Sequence, residues 1–324
     1  MRYRELGKTG YNVSEIGYGA WGIGGAMWMG GDDRQALEAL QLAIDEGLNF
    51  IDTALAYGDG HSEQLVGQVV REIKYKIYVA TKVPPKNQLW PARPGVAIAD
   101  VFPYDYIMQS TELSLRNLRV DTIDLQQLHV WNPEWIDNDE WKRAFEDLKK
   151  AGKVQHLGIS INDHQPESAL EIVKTGLIDS VQVIYNIFDQ TPEQKLFPLA
   201  MEHRVGVIAR VPLDEGGLTG KINEHTEFQP NDFRSRYFKG DRKKQVAERV
   251  SAIQQEIGIQ NGAMPEVALR FCLSHPAVSS VIPGMRTRAN VEFNCSIPGR
   301  GPLPEKLLSI LRKHTWQRNF YGAA

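Results

Sequence analysis

The stretch Asn49-Phe-Ile-Asp-Thr-Ala-Leu-Ala-Tyr57-Gly-Asp-Gly-His-Ser-Glu-Gln-Leu-Val-Gly67 reads as a short buried strand that stops on an acid, Asp52. A tight loop of small and acidic residues then presents one phenol, Tyr57. The helix that follows is expected to be capped by Ser62, with Glu63 in its first turn. Strand, loop and helix in this order form the repeating unit of an α/β fold. An apolar strand ending on a carboxylate and a phenol makes a poor core and a good catalytic site.

Outward from this stretch the same unit recurs. Strands are expected at Val13–Ala20, Asn49–Asp52, Ile77–Lys82, Thr122–His129, Val154–Ser160, Ser180–Tyr185, Gly206–Ala209 and Ala277–Pro283. Between them, apolar residues at helical spacing mark Arg34–Glu46, Glu63–Arg71, Tyr104–Leu118, Asn138–Ala151, Gln165–Thr175, Glu193–His203, and Lys243 to Ser274 in two pieces. Eight strands alternating with helices over the chain match a parallel (β/α)8 TIM barrel, with an open doubly wound sheet as the competing arrangement. A single domain over residues 1–324 is expected. Arg2–Asn12 reads as an N-terminal hairpin plug, and the tail after Pro298 as one more helix and an aromatic end, His314-Thr-Trp316-Gln-Arg318-Asn-Phe320-Tyr321. Two long connections, Val83–Pro103 and Val211–Gly240, are of a length that usually serves a site.

The strand ends carry the chemistry. Asp52 closes the second strand, Lys82 the third, His129 the fourth and Ser160 the fifth, and Arg210 follows the seventh. In a parallel barrel all these ends lie on one face, so the polar side chains meet at one mouth.

Composition excludes other classes. A net charge of -3, from 37 basic and 40 acidic side chains, gives no bulk attraction for nucleic acid. Cys272 and Cys295 have neither metal spacing nor a disulfide framework, which points to a reducing, cytoplasmic setting. The start of the chain lacks a signal-peptide core, charges interrupt every apolar stretch, and no membrane partner is expected. The eight histidines include no zinc-binding pair, so no metal is expected. Gly17-Tyr-Gly19-Ala-Trp-Gly22 fits the dinucleotide fingerprint formally. Its context fails: further glycines occupy the place of the phosphate-binding helix, and the next strand's acid arrives about 35 residues on rather than about 20.

A phenol titrates near 10, so Tyr57 alone is a feeble proton donor at neutral pH. An ammonium nearby lowers that value, at about 1.4 kcal/mol of differential interaction per unit. Lys82 is placed to supply it, Asp52 to balance Lys82, and His129 to hydrogen-bond a carbonyl oxygen. Together they make a general acid aimed at an oxygen that gains negative charge.

The chain resembles the aldo-keto reductase superfamily from end to end. The resemblance rests on Asn49 to Gly67, Thr81-Lys82, Asp124-Leu…Leu128-His129, Gly158-Ile-Ser160, Gln182-Val-Ile-Tyr-Asn186, Pro212-Leu…Leu218-Thr-Gly-Lys221 and Ile282-Pro-Gly284. It implies a barrel that binds NADPH or NADP+ in extended form, with Tyr57 as the general acid, Lys82 and Asp52 tuning it, and His129 orienting the carbonyl. Ser160 and Gln182 would hold the nicotinamide carboxamide. Gly19, Ala20, Trp21 and Asp52 would line the cofactor cleft on one side, and Arg210, Val211, Pro212 and Leu213 on the other. Lys221 and Arg234 would clamp phosphate from the long seventh loop. In the last block, Gly284, Arg286, Thr287, Asn290 and Asn294 would receive the adenosine phosphate. The physics agrees there, because a glycine turn before an arginine-flanked helix start is an anion site. Arg286 and Arg288 favour a 2′-phosphate.

Three positions depart from the family pattern. Arg210 stands where relatives carry an aromatic residue on the nicotinamide, and it either stacks there or turns to the pyrophosphate. Ile161 replaces an Asn, with Asn162 next to it, and Phe293 replaces an acid that reaches the adenine. Trp28, Trp90, Trp131 and Trp135, together with Trp21, are the expected aromatic lining for a small carbonyl or sugar-like substrate. The leading function is NADPH-dependent reduction of aldehydes or ketones, or the reverse alcohol oxidation. The alternatives are a cofactor-binding regulatory or sensor subunit and a Schiff-base aldolase acting through Lys82. Substrate, working direction and oligomeric state stay open.

Overall fold

Period-two alternation, not local propensity, organises the centre of the chain. The computed structural model describes residues 1–25, 27–28, 30–260 and 262–316. Its strands are β1 (Tyr3–Glu5), β2 (Asn12–Ser14), β3 (Tyr18–Gly19), β4 (Phe50–Asp52), β5 (Tyr78–Val83), β6 (Ile123–Leu128), β7 (Val154–Ser160), β8 (Ser180–Ile184), β9 (Gly206–Arg210) and β10 (Val278–Val281). From β3 to β10 each strand pairs in parallel with the next, and helices connect them. Parallel bridges from Ile16 to Val281 and from Gly19 to Gly284 close the sheet into a barrel. Closure demands glycine at position 19, because a Cβ there would lie 2.6 Å from the carbonyl oxygen of Ile282.

The expected first strand, Val13–Ala20, is divided. Asn12–Ser14 pairs antiparallel with β1, while Tyr18–Gly19, with a single bridge from Ile16, joins the barrel wall. The chain must pass from beneath the barrel into its wall, and Glu15, held by Arg4 at 2.7 Å, sits where it does so. The hairpin is a plug: Leu6 and Val13 pack with Phe50, Ala80, Leu125, Ile208 and Ile282 to fill the lower barrel.

Two residues farther along those strands, the same face carries Asp52, Lys82, Gln127, Arg210 and Gly284. The barrel interior therefore changes from an apolar layer to a polar one within one period of the pleat. Outside, the apolar stripes of helices such as Asp33–Asp45, Tyr104–Leu118 and Asp139–Lys150 cover the wall. Fully burying each large apolar side chain there contributes roughly 1.5–3 kcal/mol.

Ser62 does not cap its helix. Helix His61–Val70 starts from Gly60 at φ 87°, a left-handed conformation suited to glycine. Ser62 lies inside the first turn, where its hydroxyl donates to the Ala20 carbonyl at 2.9 Å and meets Thr53 Oγ1 at 2.8 Å. It ties the candidate loop to β3 instead.

The long loops are pinned. Asn162 Oδ1 accepts from Ala92 N while its Nδ2 donates to Ala92 O, both at 3.1 Å, which fastens residues 84–103 to the loop after β7. Residues 211–240 close over the mouth through Phe233 N donating to Met27 O at 2.8 Å. Trp316 docks its backbone N–H on Phe188 O at 2.8 Å, with Arg242 and Arg249 against its ring. The rest of the aromatic tail, including Arg318, Phe320 and Tyr321, lies outside the described residues. No helix among the described residues is long and apolar enough to cross a membrane.

Candidate active site

Asp52, Lys82 and His129 reach one rim because three neighbouring parallel strands end there, and Tyr57 enters on the turn after β4. Lys82 is fully buried and Asp52 nearly so. The ammonium has three hydrogens and three acceptors: Asp52 Oδ1 at 2.6 Å, the Thr53 carbonyl at 2.7 Å and Tyr57 Oη at 3.2 Å. Burial alone would strip the proton from this lysine, but Asp52 and Tyr57 outweigh that and hold its pKa above the ordinary value. Because Tyr57 Oη accepts from Lys82, its own O–H is directed elsewhere and can serve the mouth.

The expected fall in the phenol's pKa does not occur in this state. Desolvation pushes Tyr57 upward by more than Lys82 pulls it down, so the group stays protonated at neutral pH. A protonated phenol is what a proton donor must be before reaction.

His129 lies edge-on between Tyr57, 5.6 Å away, and Trp90, 4.5 Å away between ring centroids. Burial, then the positive charges of Lys82 and Arg210, push its pKa well below 6.5, so it is neutral. Its Nδ1 is buried and without a hydrogen-bond partner. A bare acceptor there is easier to tolerate than a stranded donor, which favours the tautomer with the proton on Nε2. A histidine with a depressed folded-state pKa contributes stability above about 6.5 that is lost as pH falls. Wild type should therefore lose more stability between about pH 7 and pH 5 than His129→Gln, measured by urea midpoints. Equal losses would show that His129 is not held neutral.

Arg210 ends β9 with its guanidinium anchored: Nη2 donates to Asp163 Oδ1 at 2.7 Å and to Ile161 O at 3.0 Å. It thus bridges the seventh and fifth strand ends, close enough to influence both Tyr57 and His129. Val211 follows at φ 54°, held by Asn186 Nδ2 donating to its carbonyl at 2.9 Å, ahead of Pro212 and Leu213. Asn162 is committed to Ala92 and Gln165, so it does not stand in for the missing Asn at Ile161.

Ser160 and Gln182 lie side by side in register on β7 and β8 and are buried in the floor. Across the mouth, Trp21 meets Trp28 at 5.6 Å, Phe233 at 5.0 Å and Tyr57 at 6.2 Å, beside Gly19 and Ala20. Lys221 is exposed beyond the loop. Arg234 is held within the loop. Its Nε and Nη2 grip both oxygens of Asp232, at 2.9 and 2.7 Å, and it lies over Trp28 and Phe228.

At the eighth strand end Gly284 is open, and Thr287 caps helix Arg288–Ser296 through Asn290 N. Arg286 is partly buried near Trp28 and Tyr18, and Asn294 is buried on the following helix. Arg288 instead pairs with Glu292 on the surface, 3.4 Å away. An open glycine turn, a capped helix start and a partly desolvated guanidinium suit a phosphate.

Trp131, like Trp135, is packed inside rather than open to the mouth. It is fully buried, its ring packs against Trp135 and Trp141, and its Nε1 donates to Ser168 O. Trp28 meets Trp21 and Trp90 meets His129 at the mouth as expected, and Phe233, which was not expected, joins them against Trp21. Sequence reasoning also passed over Gln127 and Asp163. Gln127 had a signal, since it shares the inward face of β6 with His129 two residues on; Asp163 had none.

The fold and its rim define a (β/α)8 barrel with a buried Lys82–Asp52 pair and the Tyr57 phenol at its C-terminal mouth. The chain belongs to the aldo/keto reductase family, whose model matches residues 15–315. These are oxidoreductases of carbonyl and alcohol groups that work with a nicotinamide cofactor. The chain is similar to the uncharacterized oxidoreductase YqkF of Bacillus subtilis, with 32% identity over 324 residues, covering 98% of this chain and 97% of that one. It is also similar to the solved holo form of aldo-keto reductase AKR11C1 from Bacillus halodurans, at TM-score 0.76 and 28% identity, covering 97% of this chain and 96% of that one. Glycerol dehydrogenase AKR11B4 from Gluconobacter oxydans matches at TM-score 0.74 and 30% identity, covering 98% and 97%.

Proposed function

We propose that this chain is an NADPH-dependent reductase of aldehydes or ketones, reversible to alcohol oxidation, with Tyr57 as general acid. The observation that carries this is the complete use of the Lys82 ammonium, which leaves the Tyr57 proton as the one directed outward. When bound, NADPH supplies the hydride. The chain's own part is to hold the carbonyl oxygen and give it a proton. Neutral His129, protonated on Nε2, donates a hydrogen bond that orients that oxygen, and Tyr57 delivers the proton as negative charge develops. Lys82 then stabilises the phenolate, and Asp52 keeps Lys82 charged.

The residues present fit the cofactor. Ser160 and Gln182 offer polar side chains where a carboxamide needs them, and Arg286 with the helix start at Thr287 suits a 2′-phosphate. The Arg210–Asp163 pair softens the repulsion that a lone guanidinium would exert on an oxidised nicotinamide. The aromatic lining of Trp21, Trp28, Trp90 and Phe233 favours small carbonyls, and the likeness to a glycerol dehydrogenase adds small polyols to the alcohols worth testing. Two buried free cysteines suit a cytoplasmic setting.

The test is to titrate the purified protein with NADPH and NADH, then follow cofactor oxidation over a panel of aldehydes and ketones. Tight binding with no oxidation by any carbonyl would favour a sensor subunit. Absence of binding, with borohydride trapping of a carbonyl on Lys82, would favour an aldolase. Arg286→Ala should weaken NADPH by about tenfold, about 1.4 kcal/mol, and leave NADH nearly unchanged. Equal weakening of both would remove Arg286 as the reader of the 2′-phosphate.

A further inference from the structure

Asp52 has more partners than its ion pair with Lys82 requires. Oδ1 accepts from Lys82, while Oδ2 accepts from two amides, Gln182 Nε2 at 2.7 Å and Gln127 Nε2 at 3.2 Å. Gln182 Nε2 also lies 3.5 Å from Gln127 Oε1, so Asp52, Gln127 and Gln182 close a ring of side chains inside the barrel. Gln127 is fully buried, and β6 sets it beside Lys82 in register. On the next strand Gly158 stands opposite. A Cβ there would lie 3.1 Å from Gln127 Cγ and 2.3 Å from Ser180 Oγ. The missing side chain at Gly158 leaves room for the stem of Gln127 and for Ser180 at this level of the barrel.

We propose that Gln127 is a positioning residue for proton donation, holding Oδ2 of Asp52 so that the carboxylate faces Lys82 and its charge is partly offset. The proposal rests on the general-acid reading of Tyr57. A carboxylate in a low-dielectric site acts strongly on neighbours, and each N–H directed at it reduces that action. Asp52 disfavours the Tyr57 phenolate, so an Asp52 relieved of an amide donor makes Tyr57 a weaker acid. Gln182 also donates to Asp52 but belongs to the candidate cofactor floor, whereas Gln127 has no other assigned role.

Three variants test this. Gln127→Met keeps length and removes the donor, and Gln127→Glu places a second carboxyl beside Asp52. In reduction the acid must be protonated, so kcat falls as pH rises through its apparent pKa. A weaker acid moves that limb upward. We expect kcat to fall roughly tenfold in the Met variant and further in the Glu variant. The alkaline limb should move up in the same order by about half a unit or more, with NADPH affinity within about twofold of wild type. Gly158→Ala, which crowds the stem of Gln127, should move the limb in the same direction by less and add little to the Met effect in the double variant. These two also decide the matter if the Glu variant does not fold.

Unchanged kcat and limb in Gln127→Met, beside an active wild type, would overturn the proposal and leave the reductase reading intact. Equal losses in Met and Glu with an unmoved limb would overturn it too, because packing alone explains them. A wild type in which no carbonyl supports NADPH oxidation would remove the general-acid reading and this proposal together.

Discussion

Lys82→Met should be the most damaging single change in this chain, lowering stability and turnover together. Lys82 has no solvent exposure and donates to Asp52, Thr53 and Tyr57. Methionine matches its length but carries no charge. Asp52 would then keep only the two amides on Oδ2, as a buried carboxylate without a counter-charge. Breaking such a pair costs roughly 3–5 kcal/mol, enough to unfold a marginal domain. Turnover should fall by roughly a thousandfold or more, because Tyr57 loses the ammonium that stabilises its phenolate. Unfolding in urea and steady-state kinetics read the two losses separately. The double variant Asp52→Asn with Lys82→Met should recover much of the stability and none of the turnover. A Lys82→Met protein as stable as wild type would mean that the pair is not held as the geometry describes.

Tyr57→Phe separates chemistry from structure more cleanly. The ring stays, with its contacts to His129 and Trp21, and Lys82 keeps its two shorter bonds. The stability change should stay within about 1 kcal/mol, the usual scale of one hydrogen bond. NADPH should bind within about twofold of wild type. Turnover should drop by roughly two to four orders of magnitude, the range attributed to general acid catalysis. A variant retaining a tenth or more of wild-type turnover would transfer the proton donor to another group, with His129 the nearest candidate.

Much of this site could be read along the chain because a parallel barrel turns sequence position into geometry. Asp52, Lys82 and His129 each follow a run of buried strand, and parallel strands place such positions on one rim whatever the intervening loops do. Gln127 could be read by the same rule, since period two puts it on the face of His129. Positions whose meaning depends on distant partners resist that rule. Arg210 takes its orientation from Asp163, 47 residues away, and Asn162 from Ala92, 70 residues away. Trp131 sits at a strand end like its neighbours, yet burying a large ring against Trp135 and Trp141 outweighs exposing it to the mouth. Ser62 looks like a helix cap until Gly60 takes the left-handed turn and leaves its hydroxyl to Ala20 and Thr53.

The sequence by itself determined the barrel, because alternating strands and helices with apolar strand interiors admit few other closures, and it placed the acid, phenol, lysine and histidine at one mouth. Only the tertiary structure decided how these groups are charged and aimed. Desolvation, which keeps Tyr57 protonated and His129 neutral, is a property of packing and not of spacing. The direction of the Tyr57 proton likewise follows from the three acceptors that close around Lys82.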